Sequence, residues 1–239
     1  MSEDIVIAKS VRRNGEVQSV IFDMDGVIID SHPAHRKAWK EFLQTFGKEV
    51  PECELDFILD GRKRRDILCH FLGKLSEQEL ADYGKRKDGL FQEISVEVKP
   101  VPGVIDFISS LEQQGITLAI ATSASKSRTR TTLKRLRLSD HFAVVVTGDD
   151  VTDSKPDPAI YNMVCNRLRS EARNSVAVED AVAGIRAAKE AGLTCIGVGA
   201  CGEGEKLCAA GADHVIENFM GFSLHDLEFL TKRLRSPVA

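Results

Sequence analysis

The sequence predicts an α/β fold: a doubly wound, mostly parallel Rossmann-like sheet with a small α-helical cap domain inserted into it. Three observations support this prediction. Short runs rich in Val and Ile have the nearly continuous apolar character of strands that are covered on both faces. Helical patterns alternate with the later runs, as in doubly wound sheets. Residues 33–98, which follow the first run, contain helical patterns and no convincing strand, and they are too long for a simple connection.

Five apolar runs are the predicted strands. They are Ser19–Phe22, Ile116–Ala121, Phe142–Val146, Ser175–Val178 and Thr194–Val198. A sixth short strand is expected at His214–Ile216, and a closing helix at Ser223–Leu234. Their Val and Ile content is typical of strands in a sheet.

Three helical patterns separate the later strands. Residues 126–138 have a basic face, and residues 156–170 begin with prolines, which the first turn of a helix tolerates. Residues 180–192 are rich in Ala and end at Gly192, a common helix stop. Each pattern lies between two predicted strands, and parallel strands require a connection of this kind.

The helical stretch at residues 33–98 is predicted to be a separate small domain. Its first helix has apolar residues at helical spacing, namely Ala38, Trp39, Phe42, Leu43 and Phe46. The prolines and glycine of VKPVPGV, residues 98–104, end the helical character, and a new helix is expected at Ile105–Gln114. The chain therefore divides into a core at residues 1–32 and 99–239 and a cap at residues 33–98.

Composition and charge exclude several classes of protein. The chain has 239 residues, of which 43% are hydrophobic and 28% charged, and its formal net charge is -4. Negative net charge disfavours nucleic acid and anionic membranes as partners. No apolar run approaches the ~20 residues that span a bilayer, and the N-terminal segment lacks the basic-then-apolar order of a signal peptide. The six cysteines form no C-x-x-C pair, which argues against a zinc site. We therefore expect a cytoplasmic protein, and a monomer.

Polar residues follow four of the predicted strands. They are, in chain order, Asp23, Asp25, Ser123, Lys155, Glu179 and Asp180. Because ligands bind at the carboxyl ends of parallel strands, we expect these side chains to share one edge of the sheet. Each residue also has a structural explanation, as a turn former, a helix cap or, for Lys155, a solvated surface lysine. Four carboxylates at one edge, however, would repel one another. A divalent cation such as Mg²⁺, which prefers oxygen ligands, would offset that repulsion.

The motifs at these strand ends resemble those of a known family. The segments DMDGVIID, TSAS, SKPDP and VEDAVAGIRAAKEAG are similar in order and spacing to the four motifs of the haloacid dehalogenase-like superfamily. The resemblance extends from about Val20 to Ala212 and includes the helical cap after the first strand. Within the superfamily, DGVIIDSHPAHRKAW and GRKRRDIL resemble the branch of the β-phosphoglucomutases and sugar phosphatases.

The resemblance implies catalytic roles for four of these residues. Asp23 would be the nucleophile that forms an aspartyl-phosphate, and Asp25 the general acid and base. Ser123 and Lys155 would hold the transferring phosphoryl group. Covalent catalysis divides the transfer into two steps, so Asp25 would be protonated in the first and ionised in the second.

The same resemblance implies a Mg²⁺ site. Its ligands would be Asp23, the backbone carbonyl of Asp25 and Asp180, with Glu179 nearby or as a further ligand. A carboxylate that attacks a phosphate dianion meets charge repulsion, so cations are needed on both sides of the reaction. Lys155 would supply the second of these charges.

Further residues are predicted to bind the substrate. They are His35, Gly61, Arg64, Lys87, Ala124 and Lys126. In the mutases a His at the position of His35 assists the acid–base Asp, and an Arg at the position of Arg64 binds the distal phosphate. A guanidinium suits bidentate phosphate recognition, although the basic run at residues 62–65 is equally consistent with a solvated surface. The cap therefore favours an anionic substrate.

The sequence predicts Mg²⁺-dependent phosphoryl transfer, and we expect a phosphatase that acts on a small sugar phosphate. The alternative is a mutase of the β-phosphoglucomutase type, in which a sugar hydroxyl accepts the phosphoryl group through a bisphosphate. His35, Arg64 and Lys87 favour the mutase, whereas Ser127, where the mutases commonly have Asn, weakens it. A third alternative is a non-catalytic phosphometabolite-binding protein of the same fold, which the complete set of catalytic residues disfavours. Asp25 argues against a dehalogenase, since dehalogenases generally lack the second Asp.

Overall fold

The computed structural model describes residues 17–199 and 202–235. The predictions for the N-terminal segment, for Cys201 and for residues 236–239 lie outside the described residues. Within the described part of the chain, no helix is long and apolar enough to cross a membrane. The cysteines in this part are free thiols.

The described strands form a single parallel sheet, as predicted. They are β1 (Ser19–Phe22), β2 (Thr117–Thr122), β3 (Val144–Thr147), β4 (Ser175–Glu179), β5 (Thr194–Val198) and β6 (His214–Ile216). Their order across the sheet is β3-β2-β1-β4-β5-β6. The predicted sixth strand is confirmed, and β2 and β3 begin slightly later than predicted. Because β1 pairs with both β2 and β4, the carboxyl ends of these three strands are neighbours.

The described helices cover both faces of the sheet and also form a separate helical segment after β1. They are α1 (His32–Gln44), α2 (Glu52–Leu59), α3 (Arg64–Leu72), α4 (Glu77–Ile94), α5 (Val104–Gln113), α6 (Lys126–Leu136), α7 (Ala159–Leu168), α8 (Val182–Glu190), α9 (Gly204–Ala210) and α10 (Leu224–Arg235). Helices α5, α6 and α10 pack on the face that holds Val20 and Phe22 of β1. Helices α7, α8 and α9 pack on the face that holds Ile21. This alternation along β1 is the two-residue period of a strand buried on both sides.

Helices α1 to α4 form a helical segment with a hydrophobic core of its own. Its buried members all come from this segment; they are Trp39, Phe42, Leu43, Leu55, Ile58, Ile67, Leu68 and Leu80. The two connections to the sheet run side by side, since Asp30 N donates a hydrogen bond to Lys99 O at 2.9 Å. We therefore propose the division expected from the sequence, with residues 33–98 as a cap, a name that we use below for this segment.

Candidate active site

A cleft of about 700 Å³ lies between the carboxyl ends of the strands and the cap. The predicted residues that line it from the sheet side are Asp23, Asp25, Ser123, Ala124 and Asp180. Those that line it from the cap are His35, Gly61, Arg64 and Lys87. The fold thus brings most of the predicted site residues to a single cleft.

Lys155 lies beneath the cleft and contacts Asp23. Its buried ammonium donates hydrogen bonds to Asp23 Oδ1 at 2.7 Å, Glu179 Oε1 at 2.6 Å and the carbonyl oxygen of Ala121 at 3.1 Å. Glu179 Oε1 also accepts a hydrogen bond from the hydroxyl of Tyr161 at 2.5 Å. Lys155 is therefore a buried cation that two carboxylates share.

Asp23 lies in a pocket that disfavours its charged form. Burial raises its pKa from the ordinary value of 3.8 to about 7, against the attraction of Lys155. The charges of Glu179 and Asp25 act in the same direction as burial. The attraction of Lys155 therefore does not outweigh the burial of Asp23.

Asp25 has a different set of neighbours. Its Oδ1 and Oδ2 accept hydrogen bonds from Arg128 Nη1 at 2.7 Å and Nη2 at 2.5 Å. Oδ1 also accepts a hydrogen bond from Ser31 Oγ at 2.7 Å and lies 3.2 Å from Nε2 of His35. Burial alone would raise the pKa of Asp25, but Arg128 and His35 hold it well below its ordinary value. In this arrangement Asp25 is an ionised carboxylate.

The predicted cap residues His35 and Lys87 form a buried chain that ends on Asp25. Lys87 Nζ lies 3.1 Å from Nδ1 of His35, and the His35 ring stacks on Phe91 with ring centroids 4.2 Å apart. Burial and the charge of Lys87 lower the pKa of His35 from 6.5 to about 3, so the imidazole is neutral. The Lys87 ammonium lies 4.9 Å from the ring centroid of Trp39 and 5.0 Å from that of Phe91. The cap therefore contacts the predicted acid–base residue through a neutral imidazole.

Asp180 lines the cleft and forms an ion pair with His32. Nε2 of His32 lies 2.8 Å from the buried Oδ2 of Asp180. Although burial lowers the pKa of His32, its contact with Asp180 raises that pKa from 6.5 to about 9, so the imidazole is protonated. Burial raises the pKa of Asp180 and the charge of Asp23 adds to this effect, while His32 opposes it. A Cβ at Gly26, whose φ is +74°, would lie 2.0 Å from Asp180 Oδ2, so only glycine leaves room for this carboxylate. Two buried carboxylates that oppose each other's charge, those of Asp23 and Asp180, fit a divalent cation.

The predicted cation would draw on few side chains. Among the described residues, no three His, Cys, Asp or Glu side chains converge as a metal site. The predicted ligands Asp23, Asp180 and the backbone carbonyl of Asp25 include only two side chains, which suits Mg²⁺ because it commonly binds one or two carboxylates together with water and phosphate. Glu179 directs Oε1 at Lys155, so its role as a metal ligand stays a prediction.

A loop of the cap reaches the end of β2. Ser123 Oγ donates a hydrogen bond to the carbonyl oxygen of Gly61 at 2.5 Å, so the hydroxyl predicted to bind phosphate contacts the cap. A Cβ at Gly61 would lie 3.3 Å from Cβ of Ala181, which shows how closely this loop approaches the core. Ala124, next to Ser123, is buried. An incoming phosphate would compete with Gly61 for the Ser123 hydroxyl.

Two predicted substrate-binding cations are paired with carboxylates. Arg64 Nη1 donates a hydrogen bond to Asp88 Oδ2, which also accepts one from Ser125 Oγ at 3.3 Å. Lys126 is exposed, and its ammonium lies 2.9 Å from Asp150 Oδ1. Since Lys126 does not line the cleft, its predicted role in substrate binding stays a prediction.

The structure adds three residues that the sequence did not single out. Arg128 is one of several basic residues in α6, and no local pattern shows which of them turns inward. Tyr161 lies among apolar residues of α7, where a buried aromatic ring is unremarkable. His32 adjoins the predicted hinge into the cap, and a polar residue at the start of a helix commonly has a structural role. Their partners are distant in the sequence, so only the fold brings them to the site.

Comparisons with known proteins identify the family of this chain. The model of the haloacid dehalogenase-like hydrolase family matches residues 20–198. The phosphorylated carbohydrates phosphatase of Thermotoga maritima is 33% identical over 82% of this chain and 92% of its own length. The β-phosphoglucomutase of Bacillus subtilis is 29% identical over 93% of this chain and 100% of its own length.

A solved structure agrees in fold and sequence. CbbY from Rhodobacter sphaeroides, solved as a mutant in complex with xylulose-(1,5)bisphosphate, has a TM-score of 0.78 and 28% identity, and the match covers 89% of this chain and 99% of CbbY. The family model spans all four motifs at the strand ends, from the segment of Asp23 to that of Asp180. The chain therefore belongs to the haloacid dehalogenase-like hydrolase family.

Proposed function

We propose that this enzyme is a phosphatase that hydrolyses a small sugar phosphate through an aspartyl-phosphate on Asp23. The observation that carries this proposal is the pair of Asp23 and Lys155 at the floor of the cleft, joined at 2.7 Å. Lys155 orients the nucleophilic oxygen and lowers the repulsion that a phosphate dianion would meet. Asp25, two residues later, donates a proton in the first step and accepts one in the second.

The cation that family membership implies would be Mg²⁺, held by Asp23, the carbonyl of Asp25 and Asp180. When bound, it would neutralise charge on the nucleophile and on the phosphoryl oxygens. Gly26 leaves the space that Asp180 needs. Glu179 supports the site from beneath by holding Lys155.

The proposed reaction has two steps, formation and hydrolysis of the aspartyl-phosphate. In the first, a carboxylate oxygen of Asp23 forms a bond to phosphorus, the bond to the sugar oxygen breaks, and that oxygen receives a proton from Asp25. In the second, a water oxygen forms a bond to phosphorus, the bond to Asp23 breaks, and Asp25 takes the proton of the water. Ser123 and Lys155 hold the phosphoryl oxygens during both steps.

The cap supports an anionic sugar derivative as substrate. The basic run at residues 62–65 lines the cleft opposite Asp23 and Ser123. A volume of about 700 Å³ suits a small phosphorylated metabolite. The names of the relatives, a phosphorylated carbohydrates phosphatase among them, agree with this substrate class.

A mutase is the second candidate, and one observation favours it. The chain of Lys87, His35 and Asp25 links the cap to the acid–base residue, so a closed cap has a route by which it can place Asp25 against a sugar hydroxyl. The likeness to the Bacillus subtilis β-phosphoglucomutase over nearly the whole chain agrees with this candidate. Hydrolysis remains our choice, because Arg64, expected to hold a distal phosphate, is paired with Asp88.

Phosphorus NMR tests the proposal. Purified enzyme and Mg²⁺ are incubated with a panel of hexose and pentose phosphates, and we expect release of inorganic phosphate that Asp23→Asn abolishes. Asp30→Asn is the matched control, because Asp30 is an exposed acid in the same segment. Unchanged phosphate release by Asp23→Asn would refute the mechanism. Isomerisation of β-glucose 1-phosphate, stimulated by a sugar bisphosphate, would select the mutase.

A further inference from the structure

The first turn of α8, which closely follows Asp180, has no capping side chain of its own. Helix α8 begins at Val182, and the residue before it, Ala181, has no polar side chain to accept hydrogen bonds from the free N–H groups of that turn. The acceptor comes instead from a residue 123 positions earlier in the chain, because Asp60 Oδ1 accepts a hydrogen bond from Ala183 N at 3.0 Å. A side-chain oxygen that binds the second N–H of a helix is what an N-cap residue supplies. Asp60, a residue of the cap, therefore performs this role for a core helix.

The position of Asp60 is unfavourable for its own helix. It directly follows α2, which ends at Leu59, and the helix dipole makes a negative charge at a helix C-terminus unfavourable. The N-terminus of α8 carries partial positive charge, so the same carboxylate is favourable beside its partner there. A second contact of Asp60 is longer, with Arg62 Nη2 lying 3.7 Å from Oδ2. The place of this acid is therefore explained by α8 and not by α2.

The contact between Asp60 and α8 lies beside Asp180. Both acids line a small cavity of about 40 Å³, together with Ala181 and Val182, and Asp180 also lines the cleft. Gly61 approaches the same turn, because a Cβ added to it would lie 3.3 Å from Cβ of Ala181. The cap therefore packs directly against the residues that join Asp180 to α8. Since only Ala181 separates Asp180 from the helix, a shift of this turn would move the Asp180 carboxylate as well.

We propose that Asp60 is a positioning residue, which fixes the start of α8 and thereby holds Asp180 in place for the divalent cation. This proposal rests on the Mg²⁺ site of the proposed function. The affinity of a metal site depends on the groups that orient its ligands as well as on the ligands themselves. Here the orienting group belongs to the cap. Docking of Asp60 on α8 and occupancy of the cation site therefore favour each other, because coupling between two equilibria is reciprocal.

Another contact between the cap and the core provides a matched control. Asp56 lies one helical turn before Asp60, and its carboxylate is 3.4 Å from the ammonium of Lys206 in α9. Both members of this ion pair are exposed, and neither belongs to α8. Asp56→Asn therefore removes a negative charge and an ion pair between the cap and the core, while the start of α8 keeps its contact with Asp60.

Calorimetric titration of the full-length enzyme with Mg²⁺ tests the proposal. Asp60→Ala removes the acceptor, and we expect the affinity for Mg²⁺ to fall about fivefold, the factor equivalent to a typical N-cap contribution. Asp60→Asn loses the charge but keeps an oxygen acceptor, and Asn caps helices as well as Asp does, so its affinity should stay within about twofold of wild type. Asp56→Asn should bind Mg²⁺ as wild type does. Wild-type affinity in Asp60→Ala, or an equal loss in Asp60→Asn, would overturn the proposal.

Hydrogen exchange of the Ala183 amide separates positioning from a role in folding alone. This amide donates its hydrogen bond to Asp60, so its exchange rate reports the contact. Addition of Mg²⁺ should slow the exchange in wild type and in Asp60→Asn, and should leave it unchanged in Asp60→Ala. An equal effect of Mg²⁺ in folded Asp60→Ala would overturn the role of Asp60 alone. Absence of Mg²⁺ binding to wild type would overturn this proposal together with the metal site of the proposed function.

Discussion

Lys87→Met should stabilise the enzyme at neutral and acidic pH. Lys87 is 3% exposed and lies between the rings of Trp39 and Phe91, where a methionine side chain of similar length would fit. Burial, and next the charge of Arg128, lower the pKa of Lys87 from 10.5 to about 7. A buried lysine whose pKa is lowered in this way costs stability wherever the unfolded chain keeps it protonated.

The sign and size of the effect follow from that pKa. Between about pH 7 and pH 10.5 the unfolded chain binds the Lys87 proton and the folded chain does not, so stability rises with pH in this window. Below about pH 7 the penalty is complete, at about 5 kcal/mol for a fall from 10.5 to about 7. The variant loses a hydrogen bond to His35 and two cation–π contacts, together about 3 kcal/mol. We therefore expect a net gain of about 2 kcal/mol at pH 6 and almost none at pH 10.

Urea unfolding at several pH values measures this difference. The free energy of unfolding is obtained for wild type, Lys87→Met and Lys85→Met, the last a control because Lys85 is an exposed residue of the same helix. The control should follow wild type throughout the pH range. A difference between Lys87→Met and wild type that is independent of pH, or a loss of stability at pH 6, would refute the reasoning.

Three further changes test the floor of the cleft. Tyr161→Phe removes the hydrogen bond to Glu179, which holds Lys155 beneath Asp23. We expect the free energy of unfolding in urea to fall by about 1–2 kcal/mol and kcat to fall as well, and unchanged values of both would contradict this role. Gly184→Ala would place a Cβ 2.2 Å from the carboxylate oxygens of Glu179. We expect the free energy of unfolding in urea to fall by about 2 kcal/mol, and a wild-type value would show that this carboxylate is free to move. Gly26→Ala would displace the carboxylate of Asp180. We expect the affinity for Mg²⁺, measured by calorimetry, to fall on the order of tenfold, and a wild-type affinity would argue against Asp180 as a ligand.

The convergence of residues at the strand ends was predictable from the sequence. The carboxyl ends of parallel strands lie at the same edge of a sheet, so the polar residues that follow those strands lie there too. The register pairs Phe22 of β1 with both Ile120 of β2 and Val178 of β4. Asp23 and Glu179, each one residue beyond that level, are therefore close in space. Short apolar runs and alternating helices were sufficient evidence for this part of the fold.

The partners of these residues were not predictable from local patterns. Helix α6 carries basic residues along its length, and only packing against the strand ends makes Arg128 buried while Arg130 is exposed. Arg64 was predicted to bind a substrate phosphate, and its ion pair with Asp88 of another cap helix was not visible in the sequence. Such pairings depend on the distance between side chains of different elements, which a one-dimensional pattern does not contain.

The two acids at the end of β1 have pKa values shifted in opposite directions, because Asp23 shares its cationic partner with another carboxylate and Asp25 does not. Lys155 donates hydrogen bonds to both Asp23 and Glu179. At Asp23 the effect of burial is larger than the attraction of Lys155, so the pKa of Asp23 rises to about 7. Arg128 gives both of its terminal nitrogens to Asp25 alone, and the pKa of Asp25 falls well below its ordinary value. Environments that push neighbouring carboxyl groups apart in this way commonly mark a division of catalytic roles. A divalent cation beside Asp23 would favour its charged form, as the proposed first step requires.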